Sequence, residues 1–114
     1  MSCLFRSLSK FINLKTYELR QEICNFLEQN PVLLDSEKVN DLIKTQNIQP
    51  ENYIQNMRQS STWGGGIEIK AFCDIYNYQV NVHIPGNITI QFYPRLLPVK
   101  IINISWSGNH FISN

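Results

Sequence analysis

The sequence lacks the features that define several protein classes. Ten Lys and Arg and nine Asp and Glu leave a formal net charge of +1, and the basic residues are scattered along the chain. Nucleic-acid binding needs a basic surface, so we do not expect it. The longest apolar run, over residues 96–104, is interrupted by Pro98 and Lys100. Because a membrane-spanning helix needs about 20 apolar residues, we expect no membrane association.

Cysteine is also scarce. Cys3, Cys24 and Cys73 are widely spaced and include no C-x-x-C pair, which disfavours a disulfide framework and a zinc site. No secretory signal segment is visible. We therefore expect a cytoplasmic protein without metal or cofactor, or one acting in the host cytoplasm if its source is a virus or an intracellular parasite. With 114 residues, 43% of them hydrophobic, the chain predicts one domain over residues 1–114, acting as a monomer.

The apolar spacing predicts helices first and strands last. Intervals of three and four residues predict helices over 3–11, 16–30, 35–43, 50–57 and 67–76. The polar face of the second helix is predicted to carry Glu18, Arg20, Gln21 and Glu28. A period of two then predicts strands over 80–84, 88–93, 99–106 and 110–113, with turns at 85–87 and 107–109. The predicted fold class is α+β, with helices covering a small antiparallel or mixed sheet.

Two residues are candidates for chemistry. Cys3 lies in the first turn of the first predicted helix, where unpaired backbone N–H groups favour a thiolate and stabilise an oxyanion. His110 follows a Gly-Asn turn that substrate can reach, and a cysteine with a distant histidine is typical of thiol hydrolases. The alternative for Cys3 is a small buried side chain without a chemical role. The other histidine, His83, lies on the polar side of a predicted strand, where we interpret it as solvated.

Three segments resemble motifs of the OTU (ovarian-tumour) family of cysteine proteases. CLFRSL at residues 3–8 resembles the family's C-L-F-R-[AS] segment, and TWGG at 62–65, followed by Glu68 and Ala71, resembles W-G-G-x-x-E-x-x-A. SGNHF at 107–111 resembles S-G-x-H-[YF]. The resemblance implies a papain-like OTU fold and a deubiquitinase. Cys3 would attack the carbonyl at the C-terminus of ubiquitin or a ubiquitin-like protein, with His110 as base and then as acid.

The second segment is expected to bind substrate. Gly64 and Gly65 would let the backbone approach the two thin glycines of the ubiquitin tail, and the Trp63 indole would cover them. The alternative is that the glycines form a loop before a helix and that Trp63 is a core residue. Glu68 is expected to cap and pack that helix.

The sequence departs from the family at two places. The family carries an acidic residue three positions before its cysteine, whereas Met1 and Ser2 are the first residues here, as though the domain were clipped. Ile112 replaces the Asp or Asn that relatives place two residues after the histidine, and Asn114 is the remaining candidate to orient His110. Two alternatives to an active deubiquitinase therefore stay open: an impaired OTU-like protein that binds ubiquitin without cleaving it, and a small interaction domain.

Overall fold

Helices fill the first two thirds of the chain and the main strands fill the last third. The computed structural model describes residues 3–114. The helices are α1 (Cys3–Ser9), α2 (Thr16–Glu28), α3 (Val39–Lys44), α4 (Pro50–Met57) and α5 (Gly66–Tyr76). The strands are β1 (Val32–Leu34), β2 (Glu37–Lys38), β3 (Tyr78–Ile84), β4 (Ile88–Phe92), β5 (Lys100–Trp106) and β6 (Phe111–Ser113). This order confirms the predicted α+β class.

The main sheet has four strands in the order β4-β3-β5-β6. Strands β3 and β5 are parallel, while β4 and β6 pair antiparallel with them, so the sheet is mixed. Val82 faces Ile104 on one side and Ile90 on the other. Because side chains alternate between the faces of a strand, these apolar residues share the face that packs on the helices. The opposite face is mostly polar.

The core lies between that apolar face and helices α1, α2 and α5. Most of the periodic apolar residues of the three helices are buried, and Phe26, Ile67 and Ile75 pack partly buried against the core, which explains their spacing. Helix α1 packs against both α2 and strand β6, and α2 packs against α4 and α5. The N-terminal helix is therefore held directly beside the C-terminal strand.

The structure differs from the sequence prediction at the third helix. Asp35 and Ser36 do not begin a helix; both have positive φ angles, 45° and 71°. Two consecutive residues of this kind form the tight turn of a hairpin, and they join β1 to β2. Helix α3 consequently begins at Val39, and α1 ends at Ser9, two residues earlier than predicted.

The last two expectations concern the N-terminal motif and membrane-spanning helices. Positions 1 and 2, where the resemblance predicts a clipped acidic motif, lie outside the described residues. Within residues 3–114, no helix is both long and apolar enough to cross a membrane.

Candidate active site

Cys3 begins a helix, and His110 directly precedes a strand that packs against that helix. Cys3 is the first residue of α1 and is 8% exposed. The hydroxyl of Ser7, one turn later, donates to the Cys3 carbonyl oxygen at 2.8 Å. His110 is exposed and lies directly before β6. Because α1 packs against β6, the fold brings the start of the chain to the strand that follows His110.

A closed turn positions His110. The backbone N–H of Ser107 donates to the His110 carbonyl at 2.9 Å, and Gly108 has a φ of 111°, which favours glycine. The rings of Trp106 and Phe111 meet across the turn, 4.7 Å between centroids. The turn predicted at 107–109 is therefore present. No hydrogen bond formed within residues 3–114 joins the His110 ring to Cys3 or Asn114, and such contacts often tighten only when substrate binds.

Asn114 is engaged elsewhere on the sheet. Its Oδ1 accepts a hydrogen bond from the Ser105 hydroxyl at 2.9 Å, and its backbone N–H donates to the Asn103 carbonyl at 3.2 Å. Ile112 is exposed and has no polar group to offer an imidazole. The role of Asn114 in orienting His110 stays a prediction.

His83 belongs to a polar network on the partly exposed face of the sheet. Its Nδ1 lies 3.0 Å from Thr89 Oγ1 and its Nε2 lies 2.9 Å from Asn103 Oδ1. Asn81 Nδ2 also donates to Asn103 Oδ1, at 3.3 Å. Both ring nitrogens of His83 thus have polar neighbours, on the polar side of the strand where the sequence predicted the residue, and the side chain is partly exposed there.

The loop that follows the C-cap of α4, residues 59–65, carries the predicted substrate-binding residues, and we call it the tryptophan loop. Trp63 is 48% exposed, so it is not a core residue. Gly64 packs on helix α1: a Cβ atom at this position would lie 2.8 Å from Leu4 Cδ2 and 3.0 Å from Phe5 Cε2. The loop therefore rests on the two residues that follow Cys3.

Glu68 fixes the end of the tryptophan loop. Its side chain is 1% exposed, and Oε1 accepts from the Gly65 backbone N–H at 2.7 Å while Oε2 accepts from the Tyr53 hydroxyl at 2.6 Å. Burial raises the pKa of Glu68, although these two hydrogen bonds and the charge of Arg20 act in the opposite direction. Burial, together with the neighbouring Glu68, raises the pKa of Tyr53. The structure agrees with the capping and packing role predicted for Glu68.

Arg20 is the residue that sequence reasoning misplaced. It was predicted on the polar face of α2, but it is 1% exposed and lies in the core. Its Nη1 donates to the Met57 carbonyl at 2.6 Å, and its Nη2 donates to the Thr62 carbonyl at 2.9 Å. The one signal in the sequence is its spacing, because Arg20 lies three and four residues before the buried Ile23 and Cys24.

The other two cysteines are in apolar surroundings. Burial raises the pKa of Cys24 to about 11 and that of Cys73 to about 12. The Cys73 thiol also donates to the Phe92 carbonyl, 3.5 Å away. Both residues are therefore protonated structural thiols at neutral pH. In the described part of the chain, no group of three His, Cys, Asp or Glu side chains has the arrangement of a metal site.

A shallow apolar pocket of about 170 Å³ lies between helix α5 and the main sheet. Gly66 and Ile69 of α5 line one side, and apolar side chains of β3 to β6, Trp106 and Phe111 among them, line the other. Gly66 directly follows the tryptophan loop, and Phe111 directly follows His110. The pocket therefore adjoins both predicted parts of the site.

The buried Glu68 should make the free energy of unfolding depend on pH. Because its pKa is raised on folding, the folded state binds the proton more tightly than the unfolded state, and stability is lost as pH rises through the raised pKa. We expect the free energy of unfolding of the wild type, minus that of Glu68→Gln, to fall over the range of pH that starts at the ordinary glutamate pKa of about 4 and extends upward. Urea denaturation of both proteins across this range measures the difference. A difference that is flat or rises with pH would contradict the assignment.

Comparison with protein families identifies a match over nearly the whole chain. The model of a family described as OTU-like cysteine protease matches residues 2–110. The chain is 26% identical over 111 residues to a Schizosaccharomyces pombe protein named as a ubiquitin thioesterase, covering 96% of this chain and 32% of that protein. A protein of Invertebrate iridescent virus 3, also named as a ubiquitin thioesterase, is 29% identical over 121 residues, covering 90% of this chain and 14% of its own. The chain thus spans a third or less of these relatives.

Solved structures show the same fold. An ovarian tumour (OTU) domain in complex with ubiquitin has a TM-score of 0.78 at 24% identity, over 98% of this chain and 62% of that one. An OTU deubiquitinase from Wolbachia pipientis wMel bound to ubiquitin has a TM-score of 0.65 at 16% identity, over 98% of this chain and 88% of that one. With the family model covering residues 2–110, the conclusion is plain: this chain belongs to the OTU-like cysteine protease family.

Proposed function

We propose that this protein is a cysteine-dependent deubiquitinase that hydrolyses isopeptide or peptide bonds at the C-terminus of ubiquitin or a ubiquitin-like protein. The observation that carries the proposal is the packing of α1 against β6 beside the tryptophan loop. This packing supports the proposal because the helix that begins with Cys3 contacts both the strand that follows His110 and the loop that carries Gly64. The names of the relatives, ubiquitin thioesterases, support the substrate class.

The reaction follows from the chemistry of Cys3 and His110. The Cys3 thiolate bonds to the carbonyl carbon of the terminal glycine, the C–N bond to the lysine breaks, and His110 gives the departing amine a proton. A thioester remains. Water then loses a proton to His110 as its oxygen attacks the thioester carbon, and the C–S bond breaks. Free ubiquitin leaves with a carboxylate, and Cys3 returns to its starting state.

Substrate binding is assigned to the tryptophan loop and the adjoining pocket. Gly64 and Gly65 present backbone without side chains, so an extended Gly-Gly tail can lie close to them. The half-exposed indole of Trp63 supplies a flat apolar cover, and the apolar pocket beside Phe111 suits a residue preceding the two glycines. We expect a single-domain monomer acting in a reducing compartment, in line with three free cysteines.

A ubiquitin vinyl-sulfone probe tests the proposal. The probe forms a thioether with an activated cysteine, so we expect one adduct, on Cys3, by intact mass and peptide mapping. Cys3→Ala is the matched control, because it keeps Cys24 and Cys73 while removing the proposed nucleophile. The same pair of proteins should differ in cleavage of a fluorogenic ubiquitin amide.

Two outcomes would count against an active enzyme. A folded wild type that binds ubiquitin but forms no adduct would indicate a ubiquitin-binding protein without hydrolase activity. An adduct that persists in Cys3→Ala would place the reactive thiol elsewhere.

A further inference from the structure

We propose that Arg20 is a positioning residue that holds the tryptophan loop on helix α1 and thereby sets the place of Trp63 and Gly64 beside Cys3. This inference rests on the proposed function for its catalytic consequence. The structural part, the control of the loop by Arg20, concerns the protein without substrate.

The Arg20 guanidinium donates hydrogen bonds to backbone carbonyls at the end of α4 and in the tryptophan loop. Its guanidinium donates to Met57 O at 2.6 Å, to Thr62 O at 2.9 Å and to Ser60 O at 3.4 Å. Thr62 immediately precedes Trp63. A planar fork of five N–H donors suits this arrangement because it reaches several acceptors from one fixed position. The segment that directly precedes Trp63 is therefore hydrogen-bonded to helix α2.

Arg20 also touches the helix that begins with Cys3. Its Cζ lies 4.2 Å from the centroid of the Phe5 ring, a distance typical of a cation–π contact. The same ring packs against Gly64, where an added Cβ would come within 3.0 Å of Phe5 Cε2. Phe5 therefore contacts both the arginine and the loop, two residues after Cys3.

Glu68 secures the other end of the loop. Its Oε1 accepts the Gly65 N–H at 2.7 Å, and its Oε2 accepts from the Tyr53 hydroxyl of α4 at 2.6 Å. Arg20 and Glu68 thus hold the segment on both sides of Trp63 and Gly64. Because a buried charge is costly and adds little stability by itself, we infer that the arginine serves to fix one loop geometry.

The expected consequence is a loss of substrate binding rather than of chemistry. Without Arg20, the loop carbonyls lose this donor and Trp63 samples several positions. Cys3 remains on helix α1 and His110 remains in the turn before β6. Positioning of bound substrate depends on such supporting contacts. Affinity for ubiquitin should fall while the chemical step changes less.

The experiment compares Arg20→Met with Arg58→Met. Arg58, the C-cap of α4, is a matched control because its side chain joins the end of that helix to α2, through Gln21, Asn25 and Glu28, yet makes no bond to the 60–62 carbonyls. For the quenching measurement both changes are made in a Trp106→Phe background, which leaves Trp63 as the one tryptophan of the chain. KM, kcat and Kd are measured with Trp106 in place, because it lines the proposed substrate pocket. The measurements are acrylamide quenching of Trp63, KM and kcat, and the Kd for ubiquitin in a Cys3→Ala version.

For Arg20→Met we expect stronger quenching of Trp63, and KM and Kd about tenfold higher, with kcat within about threefold. Arg58→Met should leave all of these near the starting values. Quenching and KM in Arg20→Met equal to those of the control would overturn the proposal. So would a fall in kcat with KM unchanged.

A second variant covers the case in which Arg20→Met does not fold. Arg20→Lys keeps the charge but loses the planar fork and the stack on Phe5, so quenching should still increase and KM should rise at least about threefold. Unchanged values would overturn the inference. Quenching needs no substrate: if Cys3 fails to react with the ubiquitin probe, the proposed function fails while the quenching result still decides the role of Arg20.

Discussion

Replacing His110 by alanine is expected to lower kcat by about 10²- to 10⁴-fold, because a positioned general acid and base contributes that much to a proton-transfer step. His110 is exposed and lies in the turn before β6, so the substitution removes little packing and stability should be unchanged. KM should change far less than kcat, since the role proposed for the ring is proton transfer at the reacting atoms. Initial rates with a fluorogenic ubiquitin amide, together with a thermal melt, measure both effects.

The second histidine of the chain provides the matched control. His83 lies on the polar face of the sheet, with its ring nitrogens next to Thr89 and Asn103. His83→Gln should therefore keep kcat within about twofold while costing about 1 kcal/mol of stability from its hydrogen bonds. If His83→Gln abolished cleavage and His110→Ala did not, the two histidines would have to exchange roles.

The sequence predicted much of the fold because the periodic elements bury one face each. The helical spacing of residues 16–27 and the alternation of residues 80–84 both survive in α2 and β3. The β1–β2 hairpin was missed because Asp35 and Ser36 are as suitable for a helix start as for a tight turn. Their positive φ angles accompany the pairing of Val32 with Lys38 and of Leu34 with Glu37, which the local sequence does not specify.

Only part of the candidate site could be predicted from the sequence. Cys3, Trp63 and His110 stand in recognisable motifs, so their candidacy needed no structure. Arg20 could not be found in this way, because its partners are backbone carbonyls 37 to 42 residues away, and every residue type offers the same carbonyl. The supports of the loop are thus set by tertiary contacts, whereas its exposed residues are set by the motif.

Adding one methyl group at Gly64 is expected to destabilise the protein by about 1–3 kcal/mol, the usual cost of overpacking a filled site. The new Cβ would lie 2.8 Å from Leu4 Cδ2 and 3.0 Å from Phe5 Cε2. Both side chains are fully buried, so neither can move aside without disturbing the core. The strain should be relieved partly by lifting the tryptophan loop from α1, which would raise KM as well. Chemical denaturation and steady-state kinetics of Gly64→Ala measure the two effects.

The neighbouring glycine separates packing from chain flexibility. Gly65 has an extended backbone, with a φ of −149°, and an added Cβ there meets no atom within 4 Å. Gly65→Ala should therefore change stability by less than about 0.5 kcal/mol, although a methyl group near the proposed tail site can still weaken substrate binding. Equal destabilisation by the two substitutions would show that the loop does not rest on Leu4 and Phe5. Since that contact links the tryptophan loop to the helix of Cys3, the comparison tests the physical connection between the two halves of the proposed site.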